Sequence, residues 1–324
     1  MDDKEKAFGR PLATRDMTQR FKTGGFTFPF GVYPEEEFAQ GEGYDSRYLE
    51  TEGCFYYEIM VSHERILPTF LALTNLLPDK VCLVVKIHSS DYYRDHDTYI
   101  SEEILDKTEV LWWIQDWKDV ALDDGFFGVG IFTEGSGLEV FLDDHKTIHV
   151  YHKDPDLMES TLEKLGIPFV MDMRFFWDEP HYHEPLPLDE EAGDDYLTAF
   201  EDLADLYDLY LDEEEEETDT DGTPLGITCW KVEIRGFIHG DKDKLGQGFY
   251  STLYVNAESR KHVTELVDEY LAGREEQVDL YLQMARVPVE LLTTEMARRN
   301  PEPEEPGVWH ESDRVVFNWD HPGQ

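Results

Sequence analysis

Apolar positions along the chain alternate between two spacings, every second residue and every third or fourth, and the switches between them predict its elements. Cys54–Val61 is aromatic and β-rich and reads as a strand. Ile66, Phe70, Leu73 and Leu77 follow at helical spacing, with Ser62 as a cap, Pro68 placed in the first turn and Pro78-Asp79 as the stop. Val81–Ile87 is a buried-strand run, so the three make a β-α-β unit whose crossover is long enough for parallel pairing. Val110, Trp113, Ile114, Trp117 and Val120 share one face of a second helix. Phe126–Thr133 and Leu138–Leu142 flank Glu134-Gly135-Ser136-Gly137 as a hairpin, and Thr147–Tyr151 adds a strand. Asp154-Pro155 opens a helix as cap and first residue, and Gly166 and Pro168 close it.

Further along, Tyr196, Phe200, Leu203, Tyr207 and Tyr210 recur at 4-3-4-3 spacing, a helix with an aromatic face. Thr228–Ile238 and Gly248–Val255 read as strands, and Val263, Leu266, Val267, Tyr270 and Leu271 as an amphipathic helix broken by Gly273. Val278, Tyr281, Leu282 and Ala285 predict one more helical stripe, ended by Pro288. The class expected is α+β, with helices packed on mixed or antiparallel sheets in two modest domains joined by an acidic linker. Its parts are a flexible N-terminal arm (1–45), broken by Gly24-Gly25, Pro29 and Pro34, and an α+β domain (46–175). An acidic linker containing the aromatic helix (176–224), a second α+β segment (225–300) and a Pro-rich tail (301–324) follow. Trp309, Val315, Val316, Phe317 and Trp319 suggest that the tail docks.

Charge changes this picture more than composition does. Against 28 Lys and Arg the 324 residues carry 72 Asp and Glu, a formal net charge of −44. Nucleic acid and anionic membranes are therefore not expected partners, because both recruit basic surface. Between Arg174 and Lys231 there are 20 acidic residues and no Lys or Arg, which concentrates the excess in one stretch. Cys54, Cys82 and Cys229 are too few and too scattered for a disulfide scaffold, and the N-terminus shows no apolar leader, so the expected location is cytoplasmic.

The sequence carries no phosphate loop, dinucleotide fingerprint or nucleophile elbow. The expected function is thus a non-catalytic acidic binding protein of inhibitor, immunity or adaptor type, facing a basic protein partner. Its expected surface is the aromatic and acidic helix, through Tyr196, Phe200, Glu201, Asp205, Tyr207, Asp208 and Asp212. A metal-dependent enzyme is the alternative, although no cofactor is required by any motif. In an extended segment His181 and His183 point the same way and could meet one divalent metal, with Asp178 or Glu184 as the carboxylate. In a third reading the charge is an adaptation to salt and has no specific partner. Glu217–Gly222 begins like a calcium loop but has Thr228 where the bidentate Glu belongs. His145, His149 and His152 surround a predicted strand and read as structural histidines.

Overall fold

The computed structural model describes residues 20–135, 137–187, 195–212, 223–238, 247–288, 291–293, 296, 298–299 and 304–318. The chain divides into two compact units, residues 1–88 with 97–212 and residues 89–96 with 213–324. The fold is α+β, with six α-helices among the described residues. None of them is long and apolar enough to cross a membrane.

Unit 1 begins with the short strands β1 (Lys22–Thr23), β2 (Phe26–Thr27) and β3 (Val32–Pro34). Then come β4 (Gly43–Leu49), β5 (Cys54–Met60), α1 (His63–Thr74), β6 (Lys80–His88), β7 (His96–Ser101) and β8 (Leu105–Asp106). Helices α2 (Lys107–Asp116) and α3 (Lys118–Asp123) precede β9 (Phe127–Thr133), β10 (Leu138–Leu142), β11 (Ile148–His152) and α4 (Pro155–Leu165). The unit closes with β12 (His181–His183), α5 (Tyr196–Tyr207) and β13 (Leu209–Leu211).

The main sheet has the order β13-β7-β6-β9-β10-β11-β5-β4, with β8 paired to β6. From β6 through β4 each neighbouring pair is antiparallel. β5 and β6 are four such pairings apart, so they run parallel without touching: the β-α-β unit exists, but β9, β10 and β11 stand between its strands. Ile66, Phe70 and Leu73 of α1, Val110 and Trp113 of α2, and Met158 and Leu162 of α4 join Val81, Leu83 and Val85 of β6 and Phe127, Val129 and Ile131 of β9 in one apolar cluster. The caps of α4 are as the sequence indicates, with Asp154 accepting from Leu157 N and Gly166 left-handed at φ 68°. Two helical readings shift. Pro68 lies in the second turn of α1, where it removes one i→i−4 hydrogen bond, and Trp117 leaves helical geometry (φ −99°, ψ 23°), splitting the predicted helix in two.

The described part of the N-terminal arm, residues 20–45, is not loose. Phe26, Phe28 and Val32 are buried with Met60, Phe175 and Phe176, and the Phe28 and Phe176 rings meet edge-on at 5.3 Å. Phe26, Phe28, Phe30 and Val32 alternate with period two, a strand signal masked by the intervening Pro29 and Gly31. Nor is the described part of 176–212 a linker. β12 pairs with β3, and Tyr196, Ala199 and Leu203 of α5 lie in the main core. The calcium-like segment Glu217–Gly222 lies outside the described residues.

The named elements of unit 2 are a four-stranded antiparallel sheet and the helix packed on it: β14 (Thr228–Ile238), β15 (Gln247–Ala257), α6 (Arg260–Ala272), β16 (Glu276–Arg286) and β17 (Gly307–Asn318), with the strands in the order β16-β14-β15-β17. Val263, Val267 and Leu271 of α6 pack on Trp230, Val232, Ile234, Phe249 and Leu253. The predicted helix through Val278–Ala285 is the strand β16. Its register skips Asp279 and Leu282, so two bulges convert period two into the spacing Val278, Tyr281, Met284 that faces the core. The described tail is likewise the edge strand β17. Arg286 on β16 is 1% exposed; its Nε lies 2.9 Å from both Asp91 carboxylate oxygens, between the rings of Trp230 and Tyr93.

A second buried ion pair anchors the first strands of unit 1. Arg20 grips Asp123 with both terminal nitrogens, Phe30 N donates to the same carboxylate at 3.0 Å, and His63 Nε2 lies 3.2 Å away. Burial alone would raise the Asp123 pKa, but Arg20 and His63 outweigh it and hold it at about 2. The folded value is below the unfolded one, so this stabilisation is complete above about pH 4 and disappears as pH falls toward 2. Asp123→Ala removes the carboxylate that Arg20 grips in the interior and should lower the unfolding free energy of unit 1 by about 3–5 kcal/mol at neutral pH. Urea unfolding against pH checks this, and the variant should lose part of the acid sensitivity of the parent.

Candidate metal centre

The site is assembled where three backbone segments of unit 1 touch. Gly31 N donates to Asp123 O at 2.7 Å, Glu184 N to Gly31 O at 2.8 Å and Gly125 N to Glu184 O at 3.1 Å. A Cβ at Gly31 would lie 2.5 Å from Asp123 O, and one at Gly125 would lie 2.3 Å from Gly31 O. Only glycine permits this approach. It fixes β12 beside the turn that follows α3, with His183 paired to Val32 and His181 to Pro34. The strand period puts both imidazoles on one side and sends Tyr182 outward against Tyr33.

The third imidazole comes from the β10–β11 loop. Asp143 there accepts from Thr147 N at 2.7 Å, and Lys146, left-handed at φ 62° and 1% exposed, turns inward to donate from Nζ to Phe127 O. This leaves His145 facing β12, with its ring centroid 5.1 Å from that of His181 and 4.6 Å from that of His183. One nitrogen from each of His145, His181 and His183 lies within 4.8 Å of the others, a grouping that could hold a metal ion. The rings are half-buried, walled by Phe176 and Trp177.

Each ring is oriented through its other nitrogen. His181 Nδ1 donates to Glu179 O at 2.8 Å and His183 Nδ1 to Gly125 O at 2.7 Å. A carbonyl can only accept, so in the neutral rings Nε2 is a bare lone pair. His145 Nδ1 faces Asp143 and Asp144 at 3.5 and 3.4 Å, and its Nε2 lies 3.3 Å from His181 Nε2. Burial would lower the His145 pKa, but the hydrogen bonds and charges of Asp143 and Asp144 lift it to about 10. His183 goes the other way: burial and the adjacent charge of His145 bring it to about 4 despite the Gly125 carbonyl.

Of the residues anticipated from sequence, His181 and His183 do come together. Asp178 and Glu184 do not join them. The Asp178 carboxylate accepts from Phe175 N at 3.0 Å, and that of Glu184 from the Tyr33 hydroxyl at 3.1 Å. The neighbouring acids are instead Asp143 and Asp144, and the additional imidazole is His145. Its separation of 36 residues from His181 carries no sequence signal. The anticipated partner surface divides. Tyr196 is buried, Phe200 packs on Tyr99 at 4.5 Å and Tyr207 lies against the core, while Glu201, Asp205, Asp208 and Asp212 are exposed.

No protein-family model matches the chain, and neither a curated protein nor a solved structure matches it.

With a chelator present, histidine NMR titration should show His145 charged up to about pH 10 and His183 neutral down to about pH 4. Ordinary titration of both rings near 6.5 would contradict the described geometry.

Proposed function

We propose that this protein is a transition-metal protein whose centre is formed by His145, His181 and His183. The observation that supports this most is the orientation of the rings, each with Nδ1 engaged by an acceptor and one nitrogen turned to a shared space, where an ion would displace the second proton of the charged His145 ring. Histidine ligands are commonly held in this manner, by a carbonyl or a carboxylate behind the ring. The 3.3 Å between His145 Nε2 and His181 Nε2 matches the ligand spacing of a tetrahedral ion. Bonds of about 2.0–2.1 Å imply edges of about 3.3–3.4 Å. Three imidazoles suit Zn²⁺ and other borderline ions, whereas Mg²⁺ and Ca²⁺ take oxygen ligands.

Three protein ligands leave a fourth position for water or substrate, the arrangement of catalytic zinc. A bound ion of this kind supplies Lewis acidity toward a carbonyl or phosphoryl oxygen, or an activated water. The metal-dependent enzyme is therefore the favoured reading. Asp143 and Asp144 supply two negative charges against the two positive charges of the ion, leaving the neutral imidazoles to select its type.

An untagged, chelator-treated sample titrated with Zn²⁺ in excess Mg²⁺ should take up one tight equivalent. Excess Mg²⁺ occupies the acidic surface, which would otherwise adsorb cations. His145→Ala and His181→Ala should each weaken that equivalent by roughly 100-fold or more, as loss of one of three ligands requires. Wild-type-like affinity in both variants would refute the reading.

The exposed acids Glu201 and Asp205 on α5, Asp208 at its cap and Asp212 after β13 support a second reading, in which a basic protein docks there through charge, with exposed Leu206 and Tyr210 among the acids. A basic protein captured at low salt should be released at high salt and lost when these four acids are neutralised.

A further inference from the structure

A fourth histidine, His149, lies beside this cluster, and both of its nitrogens are already used. Nε2 contacts Asp143 Oδ2 at 2.8 Å and Nδ1 contacts the Tyr56 hydroxyl at 2.6 Å. The ionised carboxylate only accepts, so Nε2 carries a proton, and Nδ1 shares a hydrogen bond with the Tyr56 hydroxyl, which Glu58 also contacts. The Tyr56 and His149 rings stack with 13° between their planes, and both residues stand on paired sheet strands, β5 and β11. Asp143, by contrast, begins the loop in which its partner His145 lies.

We propose that His149 and Tyr56 are positioning residues of the metal centre, transferring the rigidity of the sheet to Asp143 and through it to His145. The proposal rests on the three-histidine reading above. Asp143 receives donors from three directions: Thr147 N on Oδ1, His149 Nε2 on Oδ2, and His145 Nδ1, also toward Oδ2 at the longer 3.5 Å. Thr147 belongs to the same loop, so it cannot by itself tie the carboxylate to the sheet. His149 does so, and Tyr56 fixes its ring plane. A carboxylate free to rotate would remove one of the two acceptors behind His145 Nδ1, leaving Asp144 at 3.4 Å alone to hold the ring that must aim Nε2 at the ion. The same chain accounts for His149 not being a ligand, since neither nitrogen has a lone pair to spare.

The test compares wild type with His149→Ala, His149→Gln and Tyr56→Phe, using Zn²⁺ affinity and the visible spectrum of the Co²⁺-loaded protein. Loss of an outer partner of a metal-bound histidine weakens binding by about 10–100-fold. His149→Ala should show that loss together with a changed cobalt spectrum. His149→Gln should recover most of both, because its amide N–H reaches Asp143 and its carbonyl accepts from Tyr56. Tyr56→Phe removes only a hydroxyl, and should give a smaller shift in the same direction even if His149→Ala folds poorly. Wild-type affinity and spectrum in both Tyr56→Phe and a folded His149→Ala variant would overturn the positioning role while leaving the three-histidine reading standing. Absence of stoichiometric binding by the wild type would overturn both.

Discussion

Three backbone segments meet at Gly31, Gly125 and Glu184 more closely than side chains permit, and the candidate centre depends on that contact. It brings the turn after α3, the β3 segment and the β12 segment into one hydrogen-bonded knot. Gly125 contributes twice, as the residue whose missing Cβ allows the approach and as the carbonyl that holds His183 Nδ1. Just before it, Asp123 secures the first strands through Arg20, and Asp124 accepts from Phe126 N and Leu186 N, lacing the same segments together. Burial raises the Asp124 pKa to about 6 despite those two donors. The knot therefore contains a carboxyl group that titrates near neutrality, next to one that does not.

An excess of 44 negative charges makes it notable which acids this fold buries. Asp91 and Asp123 each face an arginine, and Asp143 faces two histidines. Buried charges survive only when paired and hydrogen-bonded, and these satisfy that requirement within their own unit. Among the described residues, other acids such as Glu201, Asp202 and Asp205 of α5 lie on the surface, where water screens them. The chemistry of the centre and the gross acidity of the chain are thus separate matters. The first depends on a few carboxylates with defined partners, whereas the second sets how the protein repels or attracts other molecules at a distance.

Much of the fold was legible because the apolar spacing is strong where elements are long. Helices α1, α4 and α6 and the β9–β10 hairpin follow from it directly, and so does α5 as far as Tyr207, whereas Tyr210, read as its last aromatic residue, lies on β13 beside Ile100. It failed where the backbone alters the period. Bulges at Asp279 and Leu282 make β16 imitate a helix, and Pro29 and Gly31 hide the alternation of Phe26, Phe28, Phe30 and Val32. The His181–His183 pair was visible because two residues on one strand face share a direction by geometry alone. His145, Asp143 and Asp144 were not, since their approach is a product of sheet order and loop closure. Asp178 and Glu184 looked plausible only because they are adjacent in sequence; the fold uses them for a turn and a tyrosine.

The most direct measurement is zinc K-edge X-ray absorption on untagged protein loaded with one equivalent of Zn²⁺. Binding at His145, His181 and His183 should give a shell dominated by three imidazole nitrogens at about 2.0–2.1 Å, completed by one oxygen, with the imidazole scattering diminished in His145→Ala. An oxygen-only shell, or the same spectrum in wild type and His145→Ala, would contradict it.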